Sequence, residues 1–340
     1  GLSTLLRGLK EHTSNLTAVV TVADDGGSSG VLRAELGIPA VGDIRNCLVA
    51  LADAEPMMGR LLQYRFPGTA TPPTGALDAA HARLADEAAG GAPTGGLSGH
   101  ALGNLLTAAM IDLEGGDFEQ AVRDMNRVLA VRGRVVPATG TAINLHARLA
   151  DGTELAGQSR ITRTDRVDRV WVTPTDVQPT TDAVQAIDDA QLIVIGPGSL
   201  FTSLLPALLV PGIREAIAAS GALVVFVTNV ATQAGETERF DLADHVDALA
   251  RHGAGHLPHI VLANNRLDAR APAGWQAAPV GLRWPPAEDE PPRLVLEDVV
   301  DPANAHHHDP ERLAAAIMRA WEREGGHRRR PSDARVSRTA

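Results

Sequence analysis

Apolar, β-branched runs too short for helices recur along this chain, and most end in small or polar residues. Leu16 to Val22 runs into Asp24-Asp25-Gly26-Gly27, and Leu192 to Ile195 runs into Gly196-Pro197-Gly198. Leu223 to Val227 precedes Thr228-Asn229, His259 to Ala263 precedes Asn264-Asn265, and Val167 to Val172 is of the same kind. A strand that is apolar along its whole length has both faces covered, as in a parallel sheet between layers of helices. Helical patterns fill the intervals: Asp43 to Asp53, His100 to Asp112, Phe118 to Ala130, Asp182 to Asp189, Gly212 to Ala219, Leu242 to His252 and, last, Pro310 to Trp321. The alternation predicts an α/β fold, doubly wound around a mainly parallel sheet. Ligands on such sheets sit at the carboxyl ends of the strands, so the loops after the runs are where function is expected.

Two stretches depart from the pattern. From Thr141 to Val172 the residues alternate, with a turn expected at Asp151-Gly152, which predicts a small antiparallel excursion. Gly68 to Gly99 is rich in Pro, Gly, Ala and Thr, with one short helical candidate at Leu77 to Ala88, and reads as a flexible insertion able to fold over the site. Residues 270 to 290 carry many prolines and no clear period. A single domain over residues 1–323 is expected, followed by a disordered basic tail, 324–340, that includes Arg328 to Arg330.

Composition narrows the chemistry. A chain of 340 residues buries enough core to need no staples, and its one cysteine, Cys47, excludes an intrachain disulfide. No Cys/His spacing resembles a structural zinc site, no cationic-then-apolar leader is seen, and the longest apolar run is broken by Pro206 and Pro211. A cytoplasmic protein without a membrane span is expected. The net charge of -10 disfavours a nucleic-acid partner. Lys10 is the sole lysine, so a Walker-type phosphate lysine is absent and any phosphate must be met by arginine, backbone amides or a metal.

The strongest local signal is Asp24-Asp25-Gly26-Gly27-Ser28-Ser29-Gly30. Its glycines let the backbone approach an anion, Ser28 and Ser29 add hydroxyls, and Asp24 and Asp25 could hold Mg²⁺ against phosphates or accept from ribose hydroxyls. A tight turn with solvated aspartates is the plain alternative. The same residues spell G-x-S-x-G, but two aspartates separate them from the strand, which argues against a hydrolase elbow. In Gly42-Asp43-Ile44-Arg45-Asn46, Asp43 is expected to cap a helix, with Arg45 and Asn46 in its first turn. Arg45 there calls for an anionic ligand or for one of the aspartates. His100 and Asn104 open the next apolar helix and share a face. Gly196, Gly198 and Ser199 form a second cradle, and Asn229, Thr232, Gln233 and Glu236 line a third. Loops on adjacent parallel strands converge, so three of them predict a ligand cleft.

Taken together, Thr21 to Gly30, Gly42 to Cys47, Gly99 to Leu105, Gly196 to Leu200 and Thr232 to Thr237 resemble, in order and over nearly the whole chain, the YvcK branch of the CofD family, the gluconeogenesis factors. The resemblance implies a Rossmann-like core and a cytoplasmic regulator that binds UDP-sugars such as UDP-N-acetylglucosamine. It further implies a role in cell shape and wall synthesis on gluconeogenic carbon, exerted through a protein partner in wall metabolism. A homo-oligomer is expected. The CofD branch implies an alternative, a Mg²⁺-dependent transferase moving a phospholactyl-type group from a nucleoside diphosphate donor to a deazaflavin. Three departures stand out. The family pattern has a strand and a glycine-rich turn ahead of the position of Gly1. Val31 and Ala40-Val41 stand where arginine and a proline-glycine run are expected. His307-His308-Asp309 stands where the family's motif starts with arginine, with His308 as the residue carried over to the ligand. An NAD-type Rossmann protein is disfavoured by the lack of a G-x-G-x-x-G turn.

Overall fold

The computed structural model describes residues 1–53, 56–67, 96–164, 166–268, 277–286 and 291–325. The expected insertion therefore lies outside the described residues up to Gly95, including its helical candidate Leu77 to Ala88, and so does the expected tail beyond Gly325. Among the described residues the strands are, in chain order, β1 Thr17–Val20, β2 Arg134–Pro137, β3 Asn144–Leu149, β4 Glu154–Ala156, β5 Val167–Thr173, β6 Leu192–Ile195, β7 Leu223–Val227, β8 Ile260–Asn264, β9 Arg293–Glu297, β10 Val300–Asp301 and β11 Asn304–His308.

The fold is α/β with mainly parallel sheets and small antiparallel ones. β6, β7, β8 and β9 form one parallel sheet in that order, and β1 pairs β2 in parallel. Each side chain of β7 and β8 finds a different layer because strand residues alternate between faces. Val224, Phe226 and Val261 pack with Phe201, Leu205, Val246 and Leu249 on one side. Val225, Val227, Ile260 and Leu262 pack on the other against Leu5 and Leu9 of helix Leu2–Leu9 and Leu313 and Ile317 of helix Pro310–Arg323. Burial on both faces is what the continuous apolar runs required, at roughly 1.5–3 kcal/mol for each large side chain removed from water. Asp309 accepts from the amides of Glu311 and Arg312 and is followed by Pro310, so the last helix starts immediately after β11.

Three expectations meet the structure. First, the antiparallel excursion expected over Thr141 to Val172 is observed, and it takes in Val167 to Val172, which is therefore not a parallel strand despite its apolar run: it lies in the antiparallel sheet β4-β3-β5, where Leu145 faces Val172 and Ala147 faces Val170. Asp168, Arg169 and Trp171 interrupt its apolar run, so only one face needs cover, which antiparallel pairing permits. Second, Gly27 to Gly30 is not loop but the start of helix Gly27–Leu36. Third, Asp43 is not a cap, because helix Gly42–Leu51 begins one residue earlier, with Val41 at the cap position. β2 and β9 have no counterpart among the runs read from the sequence. Both are short and flanked by arginine or glutamate, which hides them from a search for continuous apolarity.

No single helix among the described residues is long and apolar enough to cross a membrane. The segments Leu200–Leu208 and Ile213–Ala219 satisfy length and composition only as a pair bent by 71°. Their Phe201, Leu205 and Ile213 are buried in the core.

Candidate functional site

β1 delivers Asp24 to the strand ends, and Asp24 Oδ1 accepts from the Gly26 amide at 2.9 Å. Arg33, in the last turn of the following helix, fixes this loop by donating to the carbonyls of Asp24 at 3.2 Å and Ile143 at 2.9 Å and to Asn144 Oδ1 at 2.9 Å. Asp24 and Asp25 then part company. Asp25 Oδ1 accepts from the Ser159 amide at 2.8 Å, where it caps the start of the short helix Gln158–Ile161. Gly157 is required beside it, since φ there is 102° and a Cβ would stand 2.6 Å from Asp25 Oδ2.

Asp24 instead faces helix Gly42–Leu51. A Cβ on Gly42 would lie 2.5 Å from Ser29 Oγ and 2.8 Å from Asp24 Oδ2, so glycine is what lets the two segments meet. Asp43 follows in the first turn, half-buried, and burial together with the nearby Asp24 charge pushes its carboxyl up to about 6. Arg45 is 8% exposed, and its stem lies across Gly103, where a Cβ would meet Arg45 Cγ at 2.8 Å. Its Nη2 donates to Asn46 Oδ1 at 2.8 Å, while its Nε has no partner among the described residues. Burial and the neighbouring Arg65 lower Arg45 to about 10, which still leaves it a cation. Among the described residues it has no carboxylate at ion-pair distance. A buried cation without a paired anion is costly to maintain, and an anionic ligand would answer it.

Ser28, His100 and Asn104 meet directly. Ser28 Oγ lies 3.1 Å from His100 Nδ1 and accepts from Asn104 Nδ2 at 3.0 Å and from the Ala101 amide at 3.3 Å. His100 precedes the helix rather than opening it, since Leu102–Leu113 starts two residues later. Asn104 Oδ1 is buried without a partner, and so are Thr21 Oγ1, just beyond β1, and Thr228 Oγ1, just beyond β7. Thr21 and Thr228 were not among the predicted site residues. Their position immediately after apolar strands is the sequence signal that could have found them.

The second group lies at the ends of β6 and β7. Gly196, at φ 85°, brings the Gly196-Pro197-Gly198 turn against the Val227 carbonyl, which a Cβ would approach to 2.8 Å. Ser199 precedes the turn Leu200–Leu204 without capping it through its side chain. Glu236 is fully engaged inside the protein: its carboxylate accepts from the Phe201 amide at 3.1 Å and from the Thr202 hydroxyl, and Gln233 Nε2 donates to it at 3.3 Å. It joins two loops, and burial pushes its carboxyl up. Thr232 exchanges hydrogen bonds with the Ala278 backbone. Asn229 is half-buried beside Thr228. His308, at the end of β11, donates from Nε2 to the Thr228 carbonyl at 3.2 Å, and burial drives its ring down to about 3, so it is neutral at physiological pH.

Gly1 links the groups. It packs on Pro197 and Gly198, and its backbone nitrogen lies near Asp43 and His308. The structure thus brings together Asp24, Ser28, Ser29, Asp43, Arg45, Asn46, His100 and Asn104, with Gly196, Gly198, Thr228 and His308 across Gly1. Asp25 and Glu236 serve the scaffold. Among the described residues no three His, Cys, Asp or Glu side chains form a metal-holding group. Among the described residues at this site, Asp24 and Asp43 are the carboxylates that would hold a Mg²⁺ ion, whose remaining positions would fall to phosphate oxygens and water.

Comparison with known proteins places the chain in a family. Residues 1–277 match the family described as 2-phospho-L-lactate transferase CofD. A gluconeogenesis factor of Halalkalibacterium halodurans is 46% identical over 77% of this chain and 74% of its own length. One of Bacillus subtilis is 46% identical over 77% and 75%. A putative gluconeogenesis factor of Deinococcus radiodurans is 40% identical over 95% of this chain and 64% of its own length. A crystal structure of a UPF0052-family protein from Bacillus halodurans superposes with a TM-score of 0.78 at 40% identity, covering 94% of this chain and 95% of that one. This chain therefore belongs to the CofD family, among relatives named gluconeogenesis factors.

Proposed function

We propose that this chain binds a nucleotide sugar of the UDP-N-acetylglucosamine type at the strand ends. In this reading it is a cytoplasmic regulator of cell shape and wall synthesis during gluconeogenic growth, acting through a protein partner in wall metabolism. The observation that carries the binding reading is Arg45. A buried cation with an unpartnered Nε lies beside the glycine-dependent junction of Asp24 and Gly42, where a diphosphate would supply the missing negative charge. The relatives' names support the gluconeogenic part.

A second reading, a CofD-type Mg²⁺-dependent phosphate-group transferase, is favoured by one feature, the Asp24 carboxylate packed on Gly42 within electrostatic reach of the Asp43 carboxylate. In that case these two, and not Asp25, hold the metal, which would neutralise phosphate charge during transfer. Binding is preferred because Arg45 and neutral His308 are a thin clamp for a charge-developing transition state.

Isothermal titration with UDP-N-acetylglucosamine, GDP and NAD, each with and without Mg²⁺, separates the readings. Heat with the UDP-sugar, abolished by Arg45→Ala, is expected. No heat with any UDP-sugar at millimolar concentration would remove the nucleotide-sugar reading. Binding of a guanosine diphosphate donor only with Mg²⁺, lost in both Asp24→Asn and Asp43→Asn, would favour the transferase.

A further inference from the structure

We infer that Ser28, His100 and Asn104 read an amide-type group on the ligand, one that presents an N–H and a C=O side by side. The inference rests on the nucleotide-sugar reading above and concerns which part of that ligand gives selectivity. Its basis is a count of protons. Ser28 Oγ has three polar neighbours at hydrogen-bond distance: the Ala101 amide, the Asn104 side-chain amide and His100 Nδ1. A hydroxyl carries one proton and accepts through two lone pairs. The Ala101 N–H can only donate, so of the other two neighbours one donates to the oxygen and the other takes its proton.

With Asn104 Nδ2 donating, the serine proton goes to His100 Nδ1, the neutral ring carries its own proton on Nε2, and Asn104 Oδ1 is left as an acceptor. With the Asn104 amide turned over, Oδ1 takes the serine proton, His100 Nδ1 donates, Nε2 becomes an acceptor and the free Nδ2 a donor. Both arrangements leave at least one donor and one acceptor free, one on each of two residues four apart that are held by a single hydroxyl: His100 Nε2–H with Asn104 Oδ1 in the first, Asn104 Nδ2–H with His100 Nε2 in the second. Ser28 is therefore a positioning residue that couples the polarity of the other two.

The free acceptor needs a donor. Asn104 is 1% exposed and its Oδ1 has no partner among the described residues. A phosphate oxygen could answer the His100 N–H but not this carbonyl, because an ionised phosphate only accepts. A secondary amide or an imide answers both, as would the acetamido substituent of an N-acetyl sugar or the base edge of uridine.

The test uses the full chain and four probes: UDP-N-acetylglucosamine, UDP-glucose, N3-methyl-UDP-glucose and inorganic pyrophosphate. Asn104→Leu removes both polar atoms at similar volume, and Ser28→Ala removes the coupling. If the acetamido group is read, wild type prefers UDP-N-acetylglucosamine over UDP-glucose by tenfold or more, and Asn104→Leu closes that gap. If the base is read, the two sugars bind alike, N3-methylation weakens binding at least tenfold in wild type, and Asn104→Leu is indifferent to the methyl group. Pyrophosphate affinity stays unchanged in either case. The ¹⁵N spectrum of His100 adds a readout that a merely structural role would not move: a single tautomer in wild type, mixed in Ser28→Ala, with shifts on adding the amide-bearing probe. Wild-type binding whose selectivity ignores both substitutions overturns this inference alone. No binding of any UDP-sugar overturns it together with the nucleotide-sugar reading.

Discussion

Replacing Asp43 by asparagine should stabilise the ligand-free protein at neutral and alkaline pH. The carboxyl sits at about 6 instead of 3.8 because burial, then Asp24, disfavour its charge, with Arg45 offsetting only part. A carboxyl with a raised value contributes fully below pH 3.8 and loses that contribution as pH rises through 6, so at pH 8 the ionised group is a net penalty. The displacement corresponds to about 3 kcal/mol at 1.36 kcal/mol per pH unit, and solvent at this half-buried side chain reduces the expected gain to about 1–3 kcal/mol. At an unfolding entropy of about 2.1 cal/mol/K per residue, the melting temperature should rise by about 1–4 °C. Thermal unfolding of wild type and Asp43→Asn at pH 4 and pH 8 measures this. The histidines are common to both proteins and cancel in the difference. The variant should match wild type at pH 4 and exceed it at pH 8. A variant less stable at pH 8, or a difference that does not change with pH, would refute the reasoning. Retention of a destabilising carboxylate at the strand ends is what a functional site predicts.

Asp25→Ala should lower stability by about 1.5–3 kcal/mol through the lost Ser159 contact. It should leave the Mg²⁺ dependence of ligand binding unchanged, in contrast with Asp24→Ala, as titrations with and without metal would show. Gly103→Ala should weaken ligand binding at least tenfold, although alanine favours a helix by about 1 kcal/mol, because its Cβ would displace the Arg45 stem or the rigid Leu62 carbonyl. Titration calorimetry beside a melting curve distinguishes that from unfolding. His252 accepts from the Val170 amide at 2.9 Å through Nε2 and is bonded to the Ala248 carbonyl through Nδ1, so protonation breaks a buried contact, and burial lowers its value. Its contribution is present above about pH 6.5 and lost as pH falls below that, and His252→Gln should flatten the decline in unfolding midpoint between pH 7 and pH 5.

How far the sequence predicts this protein depends on whether a property belongs to a residue or to its surroundings. β6, β7 and β8 are visible because continuous apolarity is a local consequence of burial on both faces. β5 is legible through its alternation and not through its apolar run: Asp168, Arg169 and Trp171 break the run, and the antiparallel pairing expected from Thr141 to Val172 is the one observed. The site follows the same division. Arg45 is conspicuous in the sequence because a cation in a first helical turn demands an answer, and the structure leaves that demand open. Asp24 and Asp25 are indistinguishable as text, adjacent in one motif, and only the Ser159 amide assigns the second to the scaffold. Glu236 looks like a ligand residue in a polar loop until its carboxylate is seen to be occupied by Phe201 and Thr202. What singles out a binding atom is therefore unmet hydrogen-bonding capacity under burial, as at Asn104 Oδ1, Thr21 Oγ1 and Thr228 Oγ1. Position immediately after an apolar strand nominates such a threonine, but residue type and spacing do not register whether its hydroxyl is unmet, since the same threonine after the same strand would be silent if one backbone carbonyl lay within reach. A ligand that fits this site must bring complementary donors and acceptors to those atoms as well as negative charge to Arg45, a stricter requirement than the glycine-rich turns impose by themselves.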